Sequence, residues 1–183
     1  YRYTTADGLS YNDTRAIFED EKGILWIGTS EGLNTIHNNT VRKVKLLETV
    51  AASKQVQEPY IRAIYKDKEG TMWFGSYGNG LFRWKDGQIT NITTKQGLFD
   101  DIVSHIAEDD QGNFWMGSNR GIFRASKKEL NDLSDGGRES INSYSYGVGD
   151  GMNSSETNGG FQPNVISDSS GNIYFPTVEG VAV

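Results

Sequence analysis

The chain has 183 residues and no cysteine, which excludes disulfides, thiol nucleophiles and cysteine-ligated metals. A formal net charge of −6, a pI near 4.9 and the lack of any basic stripe argue against a nucleic acid or an anionic membrane as partner. Twenty-two glycines, three prolines and 11% aromatics suit a turn-rich all-β domain.

In chain order, Tyr1–Thr5 has the composition of a strand and is followed by Asp7-Gly8-Leu9. Arg15-Ala16-Ile17-Phe18-Glu19-Asp20 then leads through Gly23 into Leu25-Trp26-Ile27-Gly28-Thr29 and a turn at Gly32. The pattern returns as Arg62-Ala63-Ile64-Tyr65-Lys66-Asp67, Gly70 and Trp73-Phe74-Gly75-Ser76, closed by Gly80. A third copy carries Ile106, Asp109, Gly112, Trp115-Met116-Gly117-Ser118 and Gly121. The fourth carries Val165, Asp168, Gly171, Tyr174-Phe175-Pro176-Thr177 and Gly180, with tyrosine and proline where the others have tryptophan and glycine.

Asp-x-x-Gly between two apolar runs is hairpin chemistry: the carboxylate closes the turn and glycine accepts the left-handed backbone. Each copy therefore predicts short strands, with a third strand such as Leu81–Trp84. A fourth strand is expected at Gln88–Thr93, with counterparts at Tyr1–Thr5 and Ile141–Tyr146. Four short antiparallel strands in roughly 40 to 45 residues make the blade of a β-propeller.

The expected repeats are 1–47, 48–94, 95–147 and 148–183 of a single propeller segment, with an insertion near 126–141. Trp26, Trp73, Trp115 and Tyr174 are placed to fill the wedge between blades. Gly28, Gly75 and Gly117, two residues on and on the same strand face, leave room for the next blade. If Tyr1–Thr5 completed the last sheet, four blades would close on themselves; otherwise two open edges would await further blades or a second chain.

These motifs resemble the two-component regulator propeller repeat. The run from Asp7-Gly8-Leu9 to Leu33 is similar to it nearly residue for residue, and only about Ser126–Ile141 falls outside the resemblance. The family's propellers are sensor domains of bacterial hybrid two-component histidine kinases. The resemblance thus implies a periplasmic, extracytoplasmic sensor fragment that binds a signal ligand, commonly a carbohydrate. It further implies partners in the parent protein, either remaining blades or a Y-Y-Y domain, and leaves a homodimer open. No cofactor is implied.

The candidate chemistry is sparse. Asp20, Asp67, Asp109 and Asp168 share one place before x-x-Gly, which reads as turn closure rather than catalysis or calcium binding. His37 and His105 have dissimilar contexts and form no expected metal site or relay; His105 takes the place of Ala16 and Ala63 on an inner strand. Ser76 and Ser118 belong to the strand motif. No catalytic residue and no metal site are assigned.

A ligand is expected on the loops that precede the inner strands and join the second and third. These carry Tyr11, Tyr60, Tyr77, Asn79, Asn119, Arg120, Glu156 and Asn158. Tyrosine faces with polar groups beside them suit a pyranose, which has an apolar C–H face and a rim of hydroxyls. The rival functions are a propeller-type polysaccharide lyase or glycosidase, which needs a convergent acid–base cluster, and a purely structural protein-interaction module. No run is long and apolar enough to predict a membrane segment in this chain.

Overall fold

A computed structural model describes residues 1–47 and 57–183; the opening of the second expected repeat, 48–56, lies outside the described residues. The expected β-propeller architecture is present as four antiparallel sheets arranged as blades. Blade 1 is β1 (Thr14–Glu19), β2 (Leu25–Thr29), β3 (Gly32–His37) and β4 (Thr40–Val44). Blade 2 is β5 (Ile61–Lys66), β6 (Met72–Ser76), β7 (Leu81–Lys85) and β8 (Gln88–Ile92). Blade 3 is β9 (His105–Glu108), β10 (Asn113–Ser118), β11 (Gly121–Ser126) and β12 (Ser143–Tyr146). Blade 4 has three strands, β13 (Ile166–Ser167), β14 (Ile173–Thr177) and β15 (Gly180–Ala182).

Two details differ from the sequence reading. Tyr1–Thr4 is not a strand and does not complete the sheet of blade 4, which keeps three strands, β13 to β15. The insertion folds as a helix, α1 (Lys127–Ser134), capped by the Ser126 hydroxyl, which accepts from the Glu129 amide. Its Leu130 is fully buried against blades 2 and 3, and the Arg83 guanidinium meets Asp135 at 2.9 Å beyond its last turn.

The repeated aspartate does more than close its turn. Asp67 Oδ1 accepts from the Glu69 and Thr71 amides, while Oδ2 accepts the indole N–H of Trp73 at 2.9 Å. The same tie joins Trp26 to Asp20 at 3.2 Å, Trp115 to Asp109 at 2.8 Å, and the Tyr174 hydroxyl to Asp168 at 2.8 Å. A tyrosine thus keeps the bond that tryptophan makes elsewhere. The hydroxyls of Thr29, Ser76, Ser118 and Thr177 all donate to the glycine carbonyl that closes the next turn, so these side chains are bound into the scaffold.

The core lies between blades. Trp26 packs on Phe74 and Trp84 across the first joint, and Trp73 meets the edge of Phe114 at 4.9 Å across the second. Trp115 lies half-buried and stacks on Tyr146 of its own blade. The glycine notches are real: a Cβ on Gly28 would sit 2.8 Å from Ile61, one on Gly75 2.4 Å from the Val103 carbonyl, and one on Gly117 2.7 Å from Thr157. Each notch receives the chain of the following blade.

Candidate functional site

The loops before the inner strands and those between second and third strands meet on one face. The Tyr77 amide donates to the Tyr60 carbonyl, and the Gly78 amide donates to the Asp101 carbonyl of the next blade. There the Arg62 guanidinium, from the start of β5, lies 4.0 Å from the centre of the Tyr77 ring and 4.8 Å from that of Tyr60. Arg15, at the matching place in β1, lies 5.7 Å from Tyr60 and 4.8 Å from Phe161. Asn119, from the β10–β11 turn, donates to the Tyr77 hydroxyl at 3.4 Å. Aromatic rings and cations therefore alternate across blades 1 and 2, from a loop of blade 4 at one end to blade 3 at the other, in contacts that draw on the ring quadrupole.

The loop that supplies Phe161 crosses the inner edges of the other blades. Innermost strands leave one row of backbone groups unpaired, and residues 158–164 meet those rows. The Gln162 amide donates to the Arg15 carbonyl, and its side chain accepts from the Ile17 amide and donates to the Ile64 carbonyl. The Arg62 guanidinium donates to the Gly159 carbonyl, and the Asn164 side-chain NH2 donates to the Ser104 carbonyl. The segment is a strap laid over three blades.

Of the sequence-expected ligand residues, Tyr60, Tyr77 and Asn119 come together in this cluster. Tyr11 is exposed without an aromatic or cationic neighbour among the contacts described, and the exposed Arg120 stacks on Phe99 of its own blade. Asn79 acts through its backbone, accepting from Asn91 and donating to Ser76. Glu156 and Asn158 flank the bridge between Thr157 and Thr177, with backbone bonds to Val178 and Pro176 and exposed side chains. Arg15, Arg62 and Phe161 were not singled out. The arginines had a signal, since both open the inner strand at one repeat position; Phe161 had none beyond its unusual Gly-Gly loop.

His105 is fully buried between blades 3 and 4, edge-on to Phe175 with Thr157 at 3.4 Å, rather than facing an open channel. Burial pushes its pKa down to about 4, so it is neutral near pH 7. His37 ends β3 and is exposed. Asp168 is held down at about 2 chiefly by hydrogen bonds from Asn172 and Tyr174. Between blades 3 and 4 lies a cleft of about 630 Å³ lined by Trp115, Arg124, Tyr146, Ile173 and Phe175 among others. No group of three or more metal-ligating side chains is found among the described residues.

Antiparallel blades, three of them four-stranded, with aspartate-tied aromatics and glycine notches define a β-propeller built from sequence repeats. Residues 8–31, 55–78 and 97–120 match the model of the two component regulator propeller. Over 135 residues, 70% of this chain, it is 28% identical to Histidine kinase P4 of Formosa agariphila, of which that stretch covers 10%. The fold matches the extracellular domain of BT3049 from B. thetaiotaomicron, named as a hybrid two component system, with a TM-score of 0.75 and 24% identity, over 99% of this chain and 23% of that one. It also matches virginiamycin B lyase from Staphylococcus aureus with a TM-score of 0.62 and 18% identity, over 95% and 56% of the two chains. The chain thus spans about a tenth of the curated relative and under a quarter of the BT3049 domain. No described helix is long and apolar enough to cross a membrane.

Proposed function

We propose that this chain is a portion of a periplasmic sensor in a two-component system, binding an oligosaccharide on the arginine–tyrosine face and relaying its presence to a kinase elsewhere in the parent protein. The observation that carries this reading is the convergence of Tyr60, Tyr77, Asn119 and the two arginines from separate blades onto one surface. Ring faces there are edged by side-chain donors, the combination a sugar needs. The repeat family and the likeness to a histidine kinase and to an extracellular two-component domain support the sensor role.

Binding rather than turnover is favoured by where the acids are. The four repeated aspartates accept from their own turns and anchors, which leaves them unsuited to proton transfer. Exposed Val178, Val181 and Val183 of blade 4 offer an apolar surface for other blades or a Y-Y-Y domain of the parent. Signal transfer would then be a shift in how blade 4 packs on that partner. Isothermal titration against a panel of neutral and acidic oligosaccharides tests the reading: saturable heat that is lost in Tyr77→Ala supports it. Cleavage of a polysaccharide by the purified chain would replace it with the lyase or glycosidase reading. Absence of heat with every glycan would favour an interaction module.

A further inference from the structure

We infer that the ligand of this face carries an anionic group, a carboxylate or sulfate on a sugar ring, and that Arg62 is the residue that receives it. The inference rests on the ligand reading above and adds the ligand's charge to it.

The starting point is how the two inner-strand arginines are partnered. They hold the same repeat position and both lie on tyrosine rings, but Arg15 has an acid, Asp13, at 2.6 Å. Arg62 has no carboxylate partner among the described residues, and its single acceptor is the Gly159 carbonyl at a long 3.4 Å. A guanidinium has five donors in a planar fork. Arg62 is half-buried, and its Nε lies out of solvent without a partner. A cation removed from water without an anion is costly, and stacking on two rings offsets only part of that cost.

The surroundings hold Arg62 in one pose. The Tyr60 and Tyr77 rings stand 5.9 Å apart and tilted by 48°, and both contact the guanidinium. Tyr77 is itself 40% exposed and hydrogen-bonded to Asn119, so a ring surface and an amide border the cation. A pyranose lying on Tyr77 would bring a ring substituent to the guanidinium fork, where a carboxylate or sulfate can accept two hydrogen bonds at once. A neutral hydroxymethyl oxygen can accept from the fork but brings neither the charge nor the second oxygen of a bidentate pair. The chain as a whole is acidic, so attraction would come from the uncompensated charge of Arg62 and weaken with salt.

The test is titration of the intact chain with trigalacturonate, its methyl ester and a 6-sulfated galactobiose, alongside NMR of the arginine Nε–H signals during addition of inorganic sulfate. Expected results are binding of an acidic sugar, at least tenfold weaker binding of the methyl ester, and movement of the Arg62 signal with sulfate. Preference between the carboxylated and sulfated sugars tells which anion is native. Arg62→Gln should cost tenfold or more toward the acidic ligand and erase its preference over the methyl ester, while Arg62→Lys restores part of that preference. Equal binding of acid and ester, with an unmoved Arg62 signal, overturns the anionic inference and leaves the sugar reading standing. A sulfate-responsive Arg62 in a chain that binds no sugar supports the anion site and overturns the sugar reading. Silence in both experiments overturns both.

Discussion

Replacing Trp73 by alanine tests the inter-blade wedge directly. The side chain is fully buried at the joint of blades 2 and 3, edge-on to Phe114 and packed in one cluster with Leu81, Val103 and Met116. Truncating a buried tryptophan loses its transfer free energy and leaves a cavity that the sheets cannot close, a cost of about 3–5 kcal/mol. The indole N–H is also the partner of Asp67, which is itself buried, so the change leaves a carboxylate oxygen unsatisfied. Trp73→Phe separates the two effects: it keeps much of the ring but loses the bond, for about 1–3 kcal/mol. Urea unfolding followed by far-ultraviolet circular dichroism measures both, provided the slope is unchanged. Trp115, half-buried, is the internal control and should cost clearly less on truncation. If Trp73→Ala costs under about 1 kcal/mol, or no more than Trp115→Ala, tryptophan is not what joins the blades.

The notch at Gly75 is expected to refuse even a methyl group. A Cβ there would stand 2.4 Å from a backbone carbonyl, so Gly75→Ala should lower the melting temperature by an amount equivalent to about 1–3 kcal/mol. Gly149→Ala, which meets nothing within 4 Å, should be nearly silent in the same melts. His105 provides a pH test. Its folded value near 4 lies below the ordinary 6.5, so the unfolded chain takes up the proton first and stability falls as pH drops from 6.5 toward 4. The loss is about 3 kcal/mol at most, and a His105→Asn variant should show a flatter pH dependence of unfolding over that window. Gln162→Ala removes the side-chain bonds to Ile17 and Ile64, so hydrogen exchange at the Ile17 amide should accelerate while amides of β6 stay protected.

The fold was legible because its joints are local in sequence and repeated. Asp67, Gly70, Trp73 and Gly75 make a turn, a tie and a notch within nine residues; the same set recurs at Asp20 and Asp109, while at Asp168 the turn and the tie recur with Tyr174 and Pro176 replaces the notch glycine. Even so, the aspartate-to-indole bond was not anticipated, although the constant spacing of six residues carries it. The helix α1 was hidden because nothing repeats it. Tyr1–Thr5 misled because β-forming composition cannot supply the neighbour a strand needs.

The site was legible only in part, because its residues are brought together by blade geometry. Tyr60 and Tyr77 stood out as loop aromatics, whereas Arg62 stands on a strand within a repeated motif and looked like scaffold. Phe161 reaches Arg15 only through the path of the strap across three inner edges, and no local pattern encodes such a path. Tyr11, Arg120 and Glu156 were chosen by the same loop criterion as Tyr77, and among the contacts described they join no cluster with it.

Each joint in this molecule is a self-contained fitting. The tie from aspartate to aromatic stays inside one blade, and the glycine notch touches only its own blade and the one that follows. Duplicating or deleting a whole repeat would therefore leave every remaining fitting unaltered. The number of blades in such a protein is set by the sum of small angles at the joints, so lineages can lengthen or shorten the array without redesigning its core. The strap is the exception: residues 158–164 are cut to the spacing of three particular blades. It is the one part here that would have to be remade if the array changed size.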